Sequence, residues 1–140
     1  MNITIHLNDS ALQARLNEIE RDLPENLDKA LAQTAYYGSN IIADRGKQGK
    51  GISGTFAPYS PKYAEFRRKN GRGTNVDLNF TGQMWASLAG FKNRGYAEIK
   101  FSNALANKKA YFNNKLRPFF GFNATERREL LEFMKRRLFA

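Results

Sequence analysis

The chain has 140 residues and 41% apolar content, enough for one hydrophobic core and not for two. With no cysteine and one histidine, it excludes disulfides, thiolate catalysis, zinc–thiolate sites and any multi-histidine metal centre. Its net charge of +10, from 23 Lys and Arg against 13 Asp and Glu, favours an acidic partner, either nucleic acid or an acidic protein surface.

From the N-terminus, Ile3, Ile5 and Leu7 alternate with Thr4 and His6, which predicts a strand over residues 2–7 with one buried face. No basic stretch followed by an apolar run opens the chain, so no secretory signal is expected, and no apolar run approaches the ~20 residues of a membrane span. Asp9 and Ser10 offer helix caps, with Gln13 as capping-box partner of Ser10, and Leu12, Leu16, Ile19 and Leu23 follow at helical spacing. Pro24 is expected to open a second helix. Leu27, Ala30, Leu31, Thr34, Ala35, Gly38, Ile41 and Ile42 make a continuous stripe of period 3.6, predicting a helix from Pro24 to Arg45, roughly 33 Å long. The small residues on the stripe invite close approach of another element, and at least one of Tyr36 and Tyr37 is expected in the core. Around the junction of the two helices, Glu18, Glu20, Asp22, Glu25 and Asp28 are interleaved with Arg15, Arg21 and Lys29, the pattern of a solvated face rather than a metal site.

Residues 46–54, GKQGKGISG, carry no apolar periodicity and predict a mobile basic loop. Their glycines, at 46, 49, 51 and 54, do not have the spacing of a phosphate-cradling GxGxxG, and no strand precedes them. Ser60-Pro61 is a helix start, with Ser as N-cap and Pro in the first turn, and Asn70-Gly71 is the matching stop. Tyr63 and Phe66 are expected to point inward from this helix. Thr81 is expected to cap one short turn holding Met84, Trp85 and Leu88, with Gly82 serving a conformation that a side chain would hinder. Residues 87–92 and 96–101 predict a hairpin around Asn93-Arg94-Gly95, with Ala97, Ile99 and Phe101 inward. Residues 102–116 are ambiguous, with Ala104–Tyr111 either a short helix or a loop. Arg117-Pro118-Phe119-Phe120-Gly121-Phe122 predicts an edge strand or extended anchor. Asn123 and Glu126 form a capping box for a last helix reaching Leu138, with Leu130, Leu131, Phe133, Met134 and Leu138 as its apolar stripe. No repeat and no linker interrupts the chain, so one α+β domain over residues 1–140 is expected: long N-terminal helices, a small antiparallel sheet and a C-terminal helix.

No catalytic constellation emerges. His6 has no carboxylate or nucleophile near it in sequence, and no spacing argues for a hydrolase built on Asp44, Asp77 and a Lys or Arg. The charge, however, is clustered. Lys47, Lys50, Lys62, Arg67, Arg68, Lys69 and Arg72 are opposed only by Glu65, a net of +6 in one stretch. These bases are the candidate docking surface, for an acidic protein neighbour or for nucleic-acid phosphates with Tyr59 and Tyr63 stacking on bases. No RRM, KH, helix-turn-helix or zinc-finger signature is present. Phe119, Phe120, Phe122 and Phe139 are either core or exposed interface anchors.

Three segments resemble the phage virion morphogenesis family, the tail-completion proteins of Mu-like and P2-like phages, akin in style to head–tail joining proteins. They are Phe56-Ala57-Pro58-Tyr59-Ser60-Pro61-Lys62-Tyr63, Leu78-Asn79-Phe80-Thr81-Gly82-Gln83-Met84-Trp85-Ala86-Ser87, and Arg117-Pro118-Phe119-Phe120-Gly121-Phe122 with its following helix. Tyr59 stands where the family usually has Leu. The resemblance implies a structural, non-enzymatic subunit without a cofactor. It would form a homo-oligomeric ring that closes the head-proximal end of the tail. Its partners would be the tail tube or terminator and the head connector, with packaged DNA passing nearby, no membrane, and a place in the virion neck. It also implies that Phe56, Pro58, Ser60, Tyr63, Thr81, Gly82, Met84, Arg117, Pro118, Phe119 and Gly121 hold the fold. The rival reading is a small basic nucleic-acid-binding protein.

Overall fold

A computed structural model describes residues 3–6, 14, 17, 24–79, 81–93 and 95–138. The fold is α+β, and the described residues hold five delimited helices and a small antiparallel sheet. In chain order these are β1 (Thr4–His6), α1 (Pro24–Lys47), α2 (Pro61–Lys69), α3 (Gln83–Ala86), β2 (Leu88–Asn93), β3 (Tyr96–Phe101), α4 (Ala104–Leu116) and α5 (Ala124–Leu138). Of the helix expected over residues 10–23, only Ala14 and Asn17 lie among the described residues, and both are helical. The acidic residues 18, 20 and 22, Phe80, Arg94 and Phe139 lie outside them.

The sheet has the order β1-β3-β2. The register pairs Ile5 with Ile99 on one side of β3, and Leu88 with Phe101 and Gly90 with Ile99 on the other. Ala97, Ile99 and Phe101 are buried as their alternation predicts, and α1 lies across this face. The crossing is close because position 90 has no side chain. A Cβ there would stand 2.7 Å from the Ala35 carbonyl carbon and 2.7 Å from its Cβ. Leu27, Ala30, Leu31, Ala35 and Ile42 bury the apolar stripe of α1, and Lys92 reaches Asp28 at 2.9 Å at the edge of the contact. Tyr37 is the tyrosine turned toward the core, stacked on Phe133 of α5 at 4.6 Å between ring centroids, while Tyr36 is exposed. Leu130, Met134 and Leu138 complete the α5 stripe.

The capping box of α5 forms as expected: Asn123 N–H donates to Glu126 Oε1 at 3.0 Å, and Glu126 N–H donates to Asn123 Oδ1 at 2.9 Å. The same carboxylate pairs with Arg45 of α1, whose guanidinium also donates to the carbonyls of Phe119 and Gly121. One arginine thus ties the long helix to the entry of the last one.

Three expectations are corrected, and one open alternative is decided. First, α1 runs through Gly46 to Lys47, and residues 48–56 form a closed turn rather than a mobile loop. Gly51 N–H donates to Gly54 O at 2.7 Å, Phe56 N–H to Gly49 O at 2.8 Å and Ile52 N–H to Pro118 O at 3.0 Å. Gly46 is small because the Trp85 ring lies on it: a Cβ would fall 2.4 Å from Trp85 Cη2. Second, residues 104–116 are helical, with Asn103 Oδ1 accepting from Ala106 N–H at 3.0 Å as the N-cap. Third, residues 117–122 form no strand. Their amides at 119 and 120 both donate to Asn114 Oδ1 at 3.0 Å, so a side chain of α4 supplies what a sheet neighbour would. Phe119, Phe120 and Phe122 are accordingly core residues and not surface anchors. Fourth, the cap position of α3 is Gly82, at φ +80°, with Thr81 Oγ1 accepting from Gln83 N–H at a long 3.4 Å, and Leu88 opens β2 instead of belonging to the turn.

The α1–sheet crossing yields a direct test. Gly90→Ala should lower unfolding stability by about 1–3 kcal/mol, the usual cost of overpacking a filled core. Urea unfolding followed by the fluorescence of the single tryptophan, Trp85, reads the shift. An unchanged midpoint would show that α1 does not sit so tightly on the sheet.

Candidate docking surface

Helix α2 starts where Ser60 Oγ accepts from Tyr63 N–H at 3.2 Å and Pro61 occupies the first turn, and it stops at Asn70, with Gly71 at φ +69°. Its orientation is the reverse of the expected one. Tyr63 is 38% exposed and Phe66 is 51% exposed, whereas Arg67 is 2% exposed and points inward. Arg67 therefore leaves the docking surface and joins the frame.

The cause is the loop that follows. Arg67 Nε donates to Gly73 O at 2.7 Å, and its Nη2 donates to Asn79 O at 3.1 Å and to Asp77 Oδ1 at 3.2 Å. A buried guanidinium is tolerated only with such a complement of acceptors, and no aromatic ring at position 67 could satisfy them. The loop 73–79 is further fixed by Asn79 N–H on Asp77 Oδ1 at 2.9 Å and by Trp85 Nε1 on Asp77 O at 2.9 Å. Leu78 adopts φ +54°, a left-handed conformation that an L side chain rarely takes, and its N–H donates to the Tyr59 hydroxyl at 3.1 Å.

Tyr59 is the hinge of the surface. The guanidinium carbons of both Arg67 and Arg117 lie over its ring at 5.0 Å from the centroid. Burial pushes the Tyr59 phenol above its ordinary 10.0, against the opposing pull of Arg67 and of the hydrogen bond from Leu78. Arg117 reaches Tyr59 from the far end of α4 while its Nε and Nη2 donate to the carbonyls of Ala57 and Pro58 at 2.9 and 3.0 Å. The three segments picked out in the sequence thus meet. Arg117 grips residues 57–59, Trp85 packs edge-on against Phe119 at 5.4 Å, and Met84 lies buried beside them.

Between α2 and α4 this frame leaves an open cleft of about 550 Å³. Tyr63, Phe66 and Leu116 line its walls, Leu78 and Met84 its floor, and Lys109 stands on the α4 side, its Nζ 3.0 Å from Gln83 Oε1. Of the candidate bases, Lys62, Arg68, Lys69 and Arg72 are exposed on or just beyond α2, with Lys69 3.5 Å from Glu65. Lys47 and Lys50 are exposed at the end of α1, and none of these six bases lines the cleft itself. Among the structural candidates, Phe56, Met84 and Phe119 are buried, Ser60 and Gly82 shape helix starts, and Pro58, Thr81 and Pro118 are exposed on the frame, whereas Tyr63 belongs to the cleft wall.

Sequence reading missed the α4 contribution: Lys108, Lys109, Lys115 and the exposed Leu105, Phe112 and Leu116. The signal was the four-residue spacing Lys108–Phe112–Leu116, which puts a base and two apolar groups on one helical face. Among the described residues no group of three or more His, Asp or Glu is arranged to hold a metal, and no helix is long and apolar enough to cross a membrane. The arrangement presents cations around exposed rings and leucines, which is chemistry for docking. Compared with known proteins, the chain matches no family model, no curated protein and no solved structure.

Neighbouring arginines on α2 should behave oppositely. Arg67→Met should cost about 3 kcal/mol, because it strands two carbonyls and one carboxylate oxygen, while Arg68→Ala should stay within about 0.5 kcal/mol of the parent. Thermal or urea unfolding of the two variants measures the contrast, and equal stabilities would contradict the buried placement of Arg67.

Proposed function

We propose that this chain is a structural subunit of a phage neck, a tail-completion protein that closes the head-proximal end of the tail and joins it to the head connector. The observation that supports this reading most is the convergence of the three resembling segments. Lying up to 60 residues apart, they meet in one frame: Arg117 donates to the Ala57 and Pro58 carbonyls, Leu78 N–H donates to the Tyr59 hydroxyl, and Trp85 packs on Phe119, with the basic helix α2 beside them. A part whose motifs build a frame and whose charge is displayed suits assembly better than turnover of a substrate. In this role the chain carries no cofactor, works in the virion, and meets copies of itself through a heterologous, head-to-tail interface that closes into a ring. Lys47, Lys50, Lys62, Arg68, Lys69 and Arg72 then face an acidic neighbour in the tail or connector.

A second reading, a small nucleic-acid-binding protein, draws on Tyr63 and Phe66 standing exposed on the same helix as Lys62, Arg68 and Lys69. Light scattering separates the two. The neck reading expects a mass well above the 16.0 kDa subunit, or incorporation of the chain onto the ends of isolated tails. A persistent monomer that ignores tails and binds DNA, with affinity falling steeply as salt rises, would reject the neck in favour of the nucleic-acid module.

A further inference from the structure

Large apolar side chains are exposed unevenly on this molecule. Among the described residues they are Tyr36, Tyr63, Phe66, Leu105, Phe112 and Leu116, and all but Tyr36 sit on α2 and α4. Tyr63, Phe66 and Leu116 line the cleft between these helices, and Leu116 is 74% exposed. Exposed apolar groups gathered at one concave place mark an interaction site rather than ordinary surface scatter.

The charged residues that line the cleft, Arg67, Lys109 and Arg117, are all cations, and the two helices that carry them are basic along their length. Residues 61–69 and 104–117 hold eight Lys and Arg against the single carboxylate of Glu65. Only Arg67 among those eight is buried, where it is matched by Asp77. This charge selects the occupant. A second copy docking with the same face would set one cationic wall against another, so a symmetric pair is disfavoured. Nucleic acid would satisfy the cations and could stack on Tyr63 and Phe66, but it would leave the apolar Leu78, Met84 and 74%-exposed Leu116 uncovered. A protein segment with carboxylates on its flanks and apolar residues on one face satisfies walls and floor together.

The lining sets its size. Along α4 it runs from Lys109 to Leu116, about 10 Å, so the cleft takes about two helical turns, with anchors at i, i+4 and i+7.

We propose that the α2–α4 cleft is a docking groove for an acidic amphipathic helix of a partner protein. The proposal deepens the docking part of the neck reading without requiring a ring. Its test is fluorescence anisotropy of a labelled 16-residue peptide with Leu or Phe at i, i+4 and i+7 and Glu on its outer face, titrated with the full chain. The controls are the same peptide with Lys for Glu and a 20-nucleotide oligo-dT. The acidic peptide should bind saturably and more tightly than both controls. Phe66→Ser and Leu116→Ser, each at an exposed side chain, should weaken it about tenfold, and Lys109→Glu similarly. Arg128→Glu on α5 should leave it unchanged, with unfolding midpoints confirming that every variant is folded. Absence of saturable binding, equal binding of the Lys peptide, tighter binding of the oligonucleotide, or indifference to Phe66→Ser and Leu116→Ser would each overturn the groove. A chain that binds the peptide but never joins a tail or forms a ring keeps the groove and loses the neck role. A chain that joins tails but ignores the peptide does the reverse.

Discussion

The burial of Arg67 is the constraint from which much of the molecule follows. Removing a guanidinium from water costs several kcal/mol unless its donors are met, and here two carbonyls and one carboxylate oxygen meet them. Because those acceptors belong to residues 73, 77 and 79, the arginine folds the loop after α2 back against the helix that carries it. Asp77 is then placed so that its carbonyl receives Trp85 Nε1. Trp85 in turn lies on Gly46 of α1 and edge-on to Phe119. A single buried charge is thus connected, through one carbonyl and one indole, to the long helix and to the aromatic turn before α5.

The same burial determines what faces solvent. Residue 63 lies four before 67 and shares its side, so the Tyr63 ring sits against the Arg67 guanidinium, 5.9 Å from the ring centroid, and is 38% exposed, whereas Phe66, about 100° round the helix from Arg67, is 51% exposed. Tyr59 then serves as the joint between frame and surface: its hydroxyl supports the strained backbone of Leu78, its ring carries two guanidinium groups, and Tyr63 packs edge-on against it at 4.9 Å. The exposed cleft is therefore not a region left unfolded but the outer side of a well-determined inner network.

Features governed by local rules were legible in the sequence. The stripe of α1, the Ser60 and Asn123 caps, the β2–β3 hairpin and the left-handed Gly82 all depend on residues within a few positions of one another. The features that were not legible depend on distant partners. Gly46 carries the same one-letter signal whether glycine supplies flexibility or room for a ring, and only Trp85, 39 positions later, distinguishes the two. Helix α4 was ambiguous because its buried face is built from Ala106, Asn107 and Ala110 rather than large apolar residues, with Asn107 Oδ1 accepting from Ile3 N–H at 3.1 Å. Arg67 looked like its neighbours Arg68 and Lys69 because nothing in a run of bases reveals which one will find acceptors.

Of the cluster from Lys47 to Arg72, the structure keeps Lys62, Arg68, Lys69 and Arg72 outward around α2 and Lys47 and Lys50 at the end of α1, and of the seven bases only Arg67 lines the cleft. The α2–α4 surface is completed by α4, a helix more than 30 residues further along the chain. A linear run of bases is therefore a poor outline of the charged surface it helps to form. What defines that surface is the pair of helices held apart by a frame of three segments. Arg117 does both jobs, gripping the Ala57 and Pro58 carbonyls on one side and lining the cleft on the other. Because this arginine is shared, the shape of the cleft is set by the same hydrogen bonds that hold the frame closed.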